Sequence, residues 1–439
     1  MANSCVIALD LGTTAFKSAP VSVKGLLAEP TVVSYDLDYE GGSVTFDPEA
    51  YLHLATAALA GAIRSARAAG LTTTAIGLSS QAQTYIPLNA QGKPMQPAIV
   101  WTDGRAINEA REAANVIPEF AAHSGFQQPL PEMFLPKIRQ FVKLHPDLAA
   151  DVWKYALLNE YIVYRLTGAV YGDTTNQGMS GFYHITDRCW SQAALDFAGI
   201  NKYQLADTAG GAQIRYTLQP DWCRSLGIGP VPVYSCGNDQ SCSAVGVGLS
   251  AKGDLLCNFG TAMVIYAHKD DMPQSLLSRQ IAGISPYTDR YFLLGLESEC
   301  GNVIEWAYRL MYSDTTFTQM MDEALRTDIE PRLIPGIQLP GGGRIDIQGL
   351  TVGCERRYLV RALLDLYSRT FGELFAGVES TQQKATTYVA GGLSRSDAWL
   401  EHLSRRYGLV FQRTTTEQAA LIGIAKIIDR RTTDYGTSI

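Results

Sequence analysis

The sequence predicts an α/β protein built from two similar domains. Apolar strand-like segments alternate with helix-like segments, which is typical of sheets covered by helices. The chain has 439 residues, more than a single hydrophobic core usually holds. In addition, a strand, a Gly-Thr turn and a returning strand occur twice, in VIALDLGTTAFKSAPVSV (6–23) and in GDLLCNFGTAMVIYAHK (253–269). This repeat indicates a duplicated domain whose two turns face each other across a cleft.

The repeat also sets the expected domain boundary. We place it near residue 248, so that a first domain covers residues 1–248 and a second covers residues 249–439. No low-complexity linker separates the two segments. We therefore expect the domains to share a tight hinge.

Local sequence signals predict individual helices within this plan. Asp47 is a favourable N-cap residue, and Pro48 suits the first helical position. An alanine-rich segment with helical spacing follows and ends before Gly70. Together with three further amphipathic segments, the predicted helices cover residues 51–69, 109–122, 136–144 and 153–168.

Composition argues against several classes of partner. The net charge of −7 and the absence of a lysine- and arginine-rich block disfavour a nucleic-acid or anionic-membrane surface. No apolar segment reaches the roughly 18 residues that span a bilayer. The six histidines and eight cysteines are scattered, without metal-ligand spacing or a CxxC pair. We therefore expect a cytoplasmic protein with no zinc site, no membrane segment and no nucleic-acid partner.

Two Gly-Thr turns that face each other suit the binding of one polyphosphate from both sides. Glycine lets the backbone approach closely, and backbone N–H groups and threonine hydroxyls donate hydrogen bonds to phosphate oxygens. The candidate phosphate-binding residues of the two turns are Gly12, Thr13, Thr14, Gly260 and Thr261.

Charged residues flank the first of these turns. Asp10 precedes it, and a carboxylate there would hold Mg²⁺ through water, because this cation prefers oxygen ligands and retains water. The alternative role for Asp10 is that of an Asx-turn acceptor. Lys17 follows the turn and is a further candidate phosphate ligand. Strand alternation leaves open whether its side chain faces the phosphates.

A third glycine element lies in VAGGLSRSDAW (389–399). An apolar strand ends at Gly391-Gly392, and a helix is predicted to begin near Ser394 or Ser396. A flat base could lie against the bare backbone of this junction, with donors at the helix start. The candidate nucleotide-binding residues are therefore Gly391, Gly392 and Ser394. The alternative is a turn that only packs a helix closely against a strand.

The candidate acid/base residue is Asp239, in VPVYSCGNDQSCSAVGVGLS (231–250). A strand there ends in a polar segment, and a helix is predicted from about Ser241. A carboxylate at such a strand end can accept the proton of an attacking hydroxyl. Phosphoryl transfer needs little more covalent help, because it depends on positioning and charge stabilisation. The alternative role for Asp239 is that of a helix N-cap.

Two polar segments, SSQAQT (79–84) and WTDGR (101–105), could recognise the hydroxyls of a sugar or polyol. Tryptophan offers an apolar face and an N–H donor for this purpose. The alternative places Trp101 in the core and pairs Asp103 with Arg105 locally. The candidate substrate-binding residues, including those around Asp239, are Gln81, Ala82, Gln83, Trp101, Asp103, Asn238, Asp239 and Gln240.

Taken together, these segments resemble the FGGY family of carbohydrate kinases over nearly the whole chain, with xylulokinases as the most similar branch. The motifs are ALDLGTT, GLSSQAQT, AIVWTDGR, CGNDQSCSAVGVG, NFGTA and VAGGLSRSDAW, in family order. The resemblance implies two ribonuclease-H-like domains of the actin-like ATPase type. It implies transfer of the ATP γ-phosphate to a sugar or polyol, with Asp239 as base. Mg²⁺ would be held at Asp10 and Asp239, and a homodimer is a family-level expectation.

The identity of the substrate stays open at this point. Ala82-Gln83 stand where xylulokinases carry Met-His and glycerol kinases carry Arg-Glu, whereas Gln240 resembles the glycerol-kinase pattern. A glycerol, polyol or other ketose kinase of the same family is therefore an alternative. Altered signature segments at 132–141 and 335–344 keep a second alternative open. This is a non-catalytic nucleotide- and sugar-binding protein with the same fold.

Overall fold

The computed structural model describes residues 4–118, 120–208, 216–249, 254–273, 275–277, 279–286, 290–341, 344–376, 378, 386–414 and 418–434. Within these ranges the strands are β1 Ser4–Leu11, β2 Ala15–Ser22, β3 Gly25–Leu26, β4 Thr31–Ser34, β5 Asp38–Glu40, β6 Ser43–Phe46, β7 Thr72–Ser80, β8 Tyr85–Leu88, β9 Ala98–Ile99, β10 Lys154–Leu157, β11 Tyr171–Gly172, β12 Tyr183–His184, β13 Cys189–Trp190, β14 Asp207–Thr208, β15 Val233–Asn238, β16 Leu255–Phe259, β17 Met263–Lys269, β18 Gln280–Ile284, β19 Tyr291–Glu297, β20 Gly336–Gly341, β21 Arg344–Gln348, β22 Thr387–Ala390 and β23 Phe411–Arg413.

The α-helices of the same ranges cover the faces of the sheets. They are α1 Pro48–Ala68, α2 Ile107–Val116, α3 Phe120–Ser124, α4 Phe134–Leu144, α5 Pro146–Ala150, α6 Leu158–Thr167, α7 Thr174–Gly178, α8 Gln192–Ala198, α9 Pro220–Leu226, α10 Asp239–Gly246, α11 Gly301–Met311, α12 Phe317–Arg326, α13 Arg356–Ala376, α14 Asp397–Tyr407 and α15 Ala419–Asp434. Short 3₁₀ turns occur at Lys202–Gln204, Pro331–Leu333 and Gly392–Arg395.

Two six-stranded sheets share one plan. In the first, the order is β15-β7-β1-β2-β3, with β4 also paired to β2. In the second, the order is β18-β19-β17-β16-β22-β23. Each sheet contains an antiparallel hairpin, β1–β2 or β16–β17, whose first strand also pairs in parallel with a later strand, β7 or β22. The α/β prediction and the predicted strand–turn–strand repeat are both confirmed.

Helix α1 begins where the local sequence signals predicted a helix. Asp47 is its N-cap and accepts a hydrogen bond from the backbone N–H of Glu49. The helix begins at Pro48 and buries its apolar side against the first sheet, where the rings of Tyr51 and Phe16 stack with centroids 5.6 Å apart. The helix thus begins at the residue that the Asp47-Pro48 signal predicted.

Two other helix predictions are wrong in part. The segment predicted as one helix over 153–168 begins as β10, which pairs antiparallel with β8, and becomes helical at Leu158. Strand pairing with a neighbour overrode the helical pattern of this segment. The segment predicted over 109–122 is divided at Ile117, whose backbone is extended because Pro118 follows it.

The last described helix, α15, packs on the first sheet. Its apolar residues Leu421, Ile424 and Ile428 form one buried cluster with residues of β1, β2, β7, β15 and α10. Helices α10 and α15 approach closely because Gly246 and Gly423 face backbone atoms of the opposite helix. The boundary predicted near residue 248 stays a prediction. Residues 419–434, which the sequence assigned to the second domain, complete the core of the first.

Candidate active site

A cavity of about 480 Å³ lies between the carboxyl-terminal ends of the central strands of both sheets. Residues from both halves of the chain line it. The predicted site residues among its lining are Asp10, Lys17, Asp239, Gln240, Gly391, Gly392 and Ser394. The two Gly-Thr turns are not part of this lining. They directly follow β1 and β16, whose residues Asp10 and Asn258 do line the cavity.

Asp10 lies near the end of β1, between two neighbouring strands. Its register partner on β7 is Ser79, whose Oγ donates a 2.6 Å hydrogen bond to Asp10 Oδ1. Its register partner on β2 is Lys17. Burial raises the pKa of Asp10, and the Ser79 hydrogen bond and the charge of Lys17 oppose that shift. Lys17 also lines the cavity, so its side chain lies on the same side of the sheet as that of Asp10.

Asp239 is the first residue of α10. The N-cap is Asn238, whose Oδ1 accepts a 2.8 Å hydrogen bond from the backbone N–H of Ser241. The alternative in which Asp239 caps the helix is therefore wrong, and the helix begins two residues before the predicted Ser241. A bulge in β15 and the positive φ of Gly237 lead the chain into this turn.

The electrostatic setting of Asp239 suits an acid/base role. Burial and the nearby charge of Asp10 raise the pKa of Asp239 to about 7, against the effect of a hydrogen bond from the backbone N–H of Gln240. Two carboxylates in one cavity repel each other, and a cation between them would remove that repulsion. Among the described residues, no group of three or more His, Cys, Asp or Glu side chains could hold a metal ion by itself. The carboxylate oxygens of Asp10 and Asp239 are the type of ligand that Mg²⁺ prefers, so these two residues fit such a cation.

On the substrate side, Trp101 does not belong to the core, because 40% of its surface is exposed. Its Nε1–H donates a 2.8 Å hydrogen bond to Thr13 Oγ1, and this hydroxyl donates to Gln81 Oε1 at 3.4 Å. A predicted substrate residue and a predicted phosphate residue are thus directly linked. Thr14 and Thr261 are exposed at the tips of their turns.

Asp103 is buried and engaged within the protein. It forms a 2.7 Å ion pair with Arg105 and accepts a 2.9 Å hydrogen bond from the backbone N–H of Val44. The alternative of a local Asp103–Arg105 pair is therefore confirmed. Direct contact of Asp103 with a substrate stays a prediction that these bonds do not favour.

Gln83 also makes its contacts inside the protein. Its φ is 69°, and its side-chain amide donates to Met179 O at 2.5 Å and accepts from the backbone N–H of Phe134 at 2.8 Å. Asn238 Nδ2 lies 3.0 Å from Met179 Sδ. By contrast, Gln240 lines the cavity, and Ala82 is half-buried. Gln83 therefore holds the 79–84 segment in place through these hydrogen bonds. The Asn238 side chain in the same way holds the start of α10.

The two glycines at 391–392 have different roles. Gly391 has a φ of 86°, and a Cβ on it would lie 2.4 Å from the carbonyl carbon of Phe259. The packing alternative is thus supported for Gly391, which fits against the second Gly-Thr turn. A Cβ on Gly392 would meet nothing within 4 Å. Ser394 Oγ donates to Gly391 O at 2.7 Å, and α14 begins only at Asp397, with Ser396 as its N-cap.

Sequence reasoning missed several supporting residues. Tyr35 OH donates to Gly12 O at 2.7 Å, and burial raises the pKa of Tyr35 to about 12. Lys137 Nζ donates to Gln83 O and Val100 O, and burial lowers its pKa to about 7. Alignment of the two turns could have identified Asn258, because it lies two residues before Gly260, as Asp10 lies two residues before Gly12. Lys137 lies in the altered signature segment 132–141, but its contacts, like that of Tyr35, span more than 20 residues and could not be predicted from local sequence.

A family model described as the N-terminal domain of the FGGY family of carbohydrate kinases matches residues 5–246, more than half of the chain. A protein of Bacillus subtilis (strain 168) named xylulose kinase is 22% identical over 435 residues, which cover 96% of this chain and 87% of that protein. A gluconokinase of Bacillus licheniformis is 22% identical over 434 residues, covering 92% of this chain and 82% of that protein.

A solved structure has the same fold. Ligand-bound xylulose kinase from Lactobacillus acidophilus matches with a TM-score of 0.88 at 20% identity, covering 98% of this chain and 90% of that chain. This likeness confirms the predicted fold of two actin-like ATPase domains. The chain therefore belongs to the FGGY family of carbohydrate kinases and is a phosphotransferase.

Proposed function

We propose that this protein transfers the γ-phosphate of ATP to a hydroxyl of a sugar or polyol, in the manner of a xylulokinase. One observation carries the proposal. A single cavity is lined by Asp10, Lys17 and Asp239 from the first half of the chain and by Gly391 and Gly392 from the second. The residues that we assign to acid/base, cation-holding and nucleotide-binding roles thus lie around one cavity.

Asp239 is the proposed general base. With a pKa of about 7, a large share of Asp239 is ionised at neutral pH and can accept a proton. As the substrate hydroxyl attacks the γ-phosphorus, its proton passes to the Asp239 carboxylate, the new P–O bond forms and the bond to ADP breaks. The helix start at Asn238–Ser241 holds this carboxylate in place.

Sugar kinases of this family use ATP as substrate, and the residues of this chain fit its parts. Asp10 would hold Mg²⁺ through water, together with Asp239, and Lys17 would face the phosphates. Bound Mg²⁺ would supply neutralisation of phosphate charge. Backbone and hydroxyl donors of Gly12, Thr13, Thr14, Gly260 and Thr261 would bind phosphate oxygens. The open face at Gly392, next to Ser394, would accept the adenosine.

On the substrate side, Trp101 and Gln240 are the residues best placed to contact a sugar. Trp101 is partly exposed beside Thr13, and Gln240 lines the cavity directly after the base. This side would also be shaped, largely through contacts within the protein, by Gln81, Ala82, Gln83, Asp103 and Asn238.

We also place the reaction in the cytoplasm, since the cysteines of the described residues form no disulfide.

The test is a coupled assay of ADP release with Mg-ATP and single candidate acceptors. The names of the relatives make D-xylulose and D-gluconate the first compounds, and glycerol tests the polyol alternative. We expect one acceptor to release ADP in proportion to a phosphorylated product seen by ³¹P NMR. Binding of ATP and acceptor without any product would favour the non-catalytic alternative. Asp239→Asn protein serves as the matched blank.

A further inference from the structure

Lys137 is a buried lysine whose ammonium group donates its hydrogen bonds to backbone carbonyls. It lies on α4, is 2% exposed, and its Nζ donates to Gln83 O at 2.8 Å and to Val100 O at 3.0 Å. Removing an ammonium group from water is costly unless its hydrogen bonds are replaced. These two carbonyl oxygens belong to separate segments of the chain, and the ammonium group joins them.

Both segments belong to the substrate side of the cleft. Val100 directly precedes Trp101, whose backbone N–H donates to Thr84 Oγ1 and whose indole N–H donates to Thr13 Oγ1. Gln83 has a positive φ, and its side-chain amide donates a hydrogen bond to Met179 O and accepts one from the backbone N–H of Phe134. One ammonium group thus anchors the backbone from which Trp101 reaches the first Gly-Thr turn.

We propose that Lys137 is a positioning residue for sugar phosphorylation, acting through the carbonyl oxygens of Gln83 and Val100. It sets the place of Trp101 against Thr13 and thereby aligns the substrate side with the phosphate side. Lys137 does not line the cavity that contains Asp10 and Asp239, so its proposed role is indirect. The kinetic part of this inference rests on the proposed function, whereas the structural part does not.

Lys154 provides a matched control. It is a partly buried lysine, and its Nζ also donates to a backbone carbonyl, that of Leu205, at 2.6 Å. Burial lowers the pKa of Lys154 as well. However, Lys154 lies on β10, and its carbonyl partner belongs to neither substrate-side segment. Lys154→Met therefore removes the same kind of bond without touching the backbone that carries Trp101.

The first test does not depend on the identity of the sugar. The chain has six tryptophans, so ¹⁵N labelling of the indoles yields a small set of N–H resonances, and Trp101→Phe identifies that of Trp101. We expect this resonance to move or broaden in Lys137→Met, because its hydrogen bond to Thr13 is displaced. It should stay in place in Lys154→Met. An unmoved Trp101 resonance in Lys137→Met, or an equal shift in both variants, would overturn the proposal.

The second test uses kinetics with the acceptor that the ADP assay identifies. We expect kcat/KM for the acceptor to fall about 10- to 100-fold in Lys137→Met, the range that misplacement of about 1 Å produces. KM for ATP should change less than about twofold. Equal changes in both KM values would show a merely structural role. Lys137→Arg keeps N–H donors and should recover part of the loss; it also serves if Lys137→Met does not fold.

The two tests separate two kinds of failure. If no acceptor is phosphorylated, the proposed function fails, and the Trp101 resonance still decides the role of Lys137. If an acceptor is phosphorylated and the resonance does not move, only the positioning role fails.

Discussion

The two Gly-Thr turns have the same scaffold and different chemistry. Each follows the first strand of a hairpin that also pairs in parallel with a later strand. In the first turn, the residue two positions before the glycine is Asp10, with Lys17 and Ser79 as its register partners. In the second turn, the corresponding residue is Asn258, and its partners are Val264 and Ala390.

The second turn is instead closely surrounded by backbone. Gly260 O accepts a hydrogen bond from the N–H of Gly301, and a Cβ on Gly301 would lie 2.2 Å from that oxygen. Gly391 packs equally closely against Phe259. The comparison teaches that charged side chains surround the first turn, whereas neutral residues and closely packed backbone surround the second. The following predictions test this division of roles.

The largest effect is expected for Asp239→Asn. Loss of a positioned base should lower kcat by about 10²- to 10⁴-fold. The measurement is ADP release at saturating Mg-ATP and acceptor. Asp254→Asn is the control, because it makes the same change to a buried carboxylate of the second half that accepts from the N–H of Thr386. Near-normal turnover of Asp239→Asn would remove this residue from the mechanism.

The next largest effect is expected for Asp10→Asn, which gives the first Gly-Thr turn the residue that the second carries at the corresponding position, Asn258. If Asp10 holds Mg²⁺ through water, activity at a fixed Mg²⁺ concentration should fall about 10- to 100-fold, as for other outer-shell residues. A Mg²⁺ titration of the initial rate measures this change. The reciprocal Asn258→Asp should weaken ATP binding, since it adds negative charge near the phosphates. An unchanged Mg²⁺ dependence in Asp10→Asn would contradict the division of roles.

A pH profile gives a change of about tenfold. Because the pKa of Asp239 is raised to about 7, the ionised base decreases as the pH falls through 7. When Mg-ATP is kept well below its KM, the acceptor kcat/KM reports the free enzyme and should therefore fall about tenfold from pH 8 to pH 6. Lys137, with a pKa lowered to about 7, titrates in the same range. If Asp239 sets the profile, the inflection should persist in Lys137→Met, whereas its loss there would assign the profile to Lys137.

The smallest effect concerns stability. Gly391→Ala places a Cβ against the backbone of the second turn at a positive φ, and should lower the free energy of unfolding by about 1–3 kcal/mol. Gly392→Ala is the matched control, because a Cβ there meets nothing within 4 Å. Thermal unfolding of both variants measures the difference. Equal melting temperatures would show that the second turn tolerates displacement.

Prediction from sequence succeeded where the signal is local. Asp47-Pro48 started a helix, and the strand–turn–strand repeat predicted two equivalent sheets. It failed where a distant partner decided the outcome. Residues 154–157 were predicted as helix, but they pair with β8. Gln83 and Asp103 were predicted to face a substrate, but their polar atoms are engaged with Phe134, Met179, Val44 and Arg105.

The sequence by itself determined the α/β class, the duplicated Gly-Thr turns and the family, since each depends on residue types at fixed short spacings. The tertiary structure alone decided the direction of Lys17, the raised pKa of Asp239 and the bridging contacts of Lys137. These depend on which strands become neighbours and on how deeply each group is buried. Burial and charge interactions act between residues that are distant along the chain, so they exist only after the chain has folded.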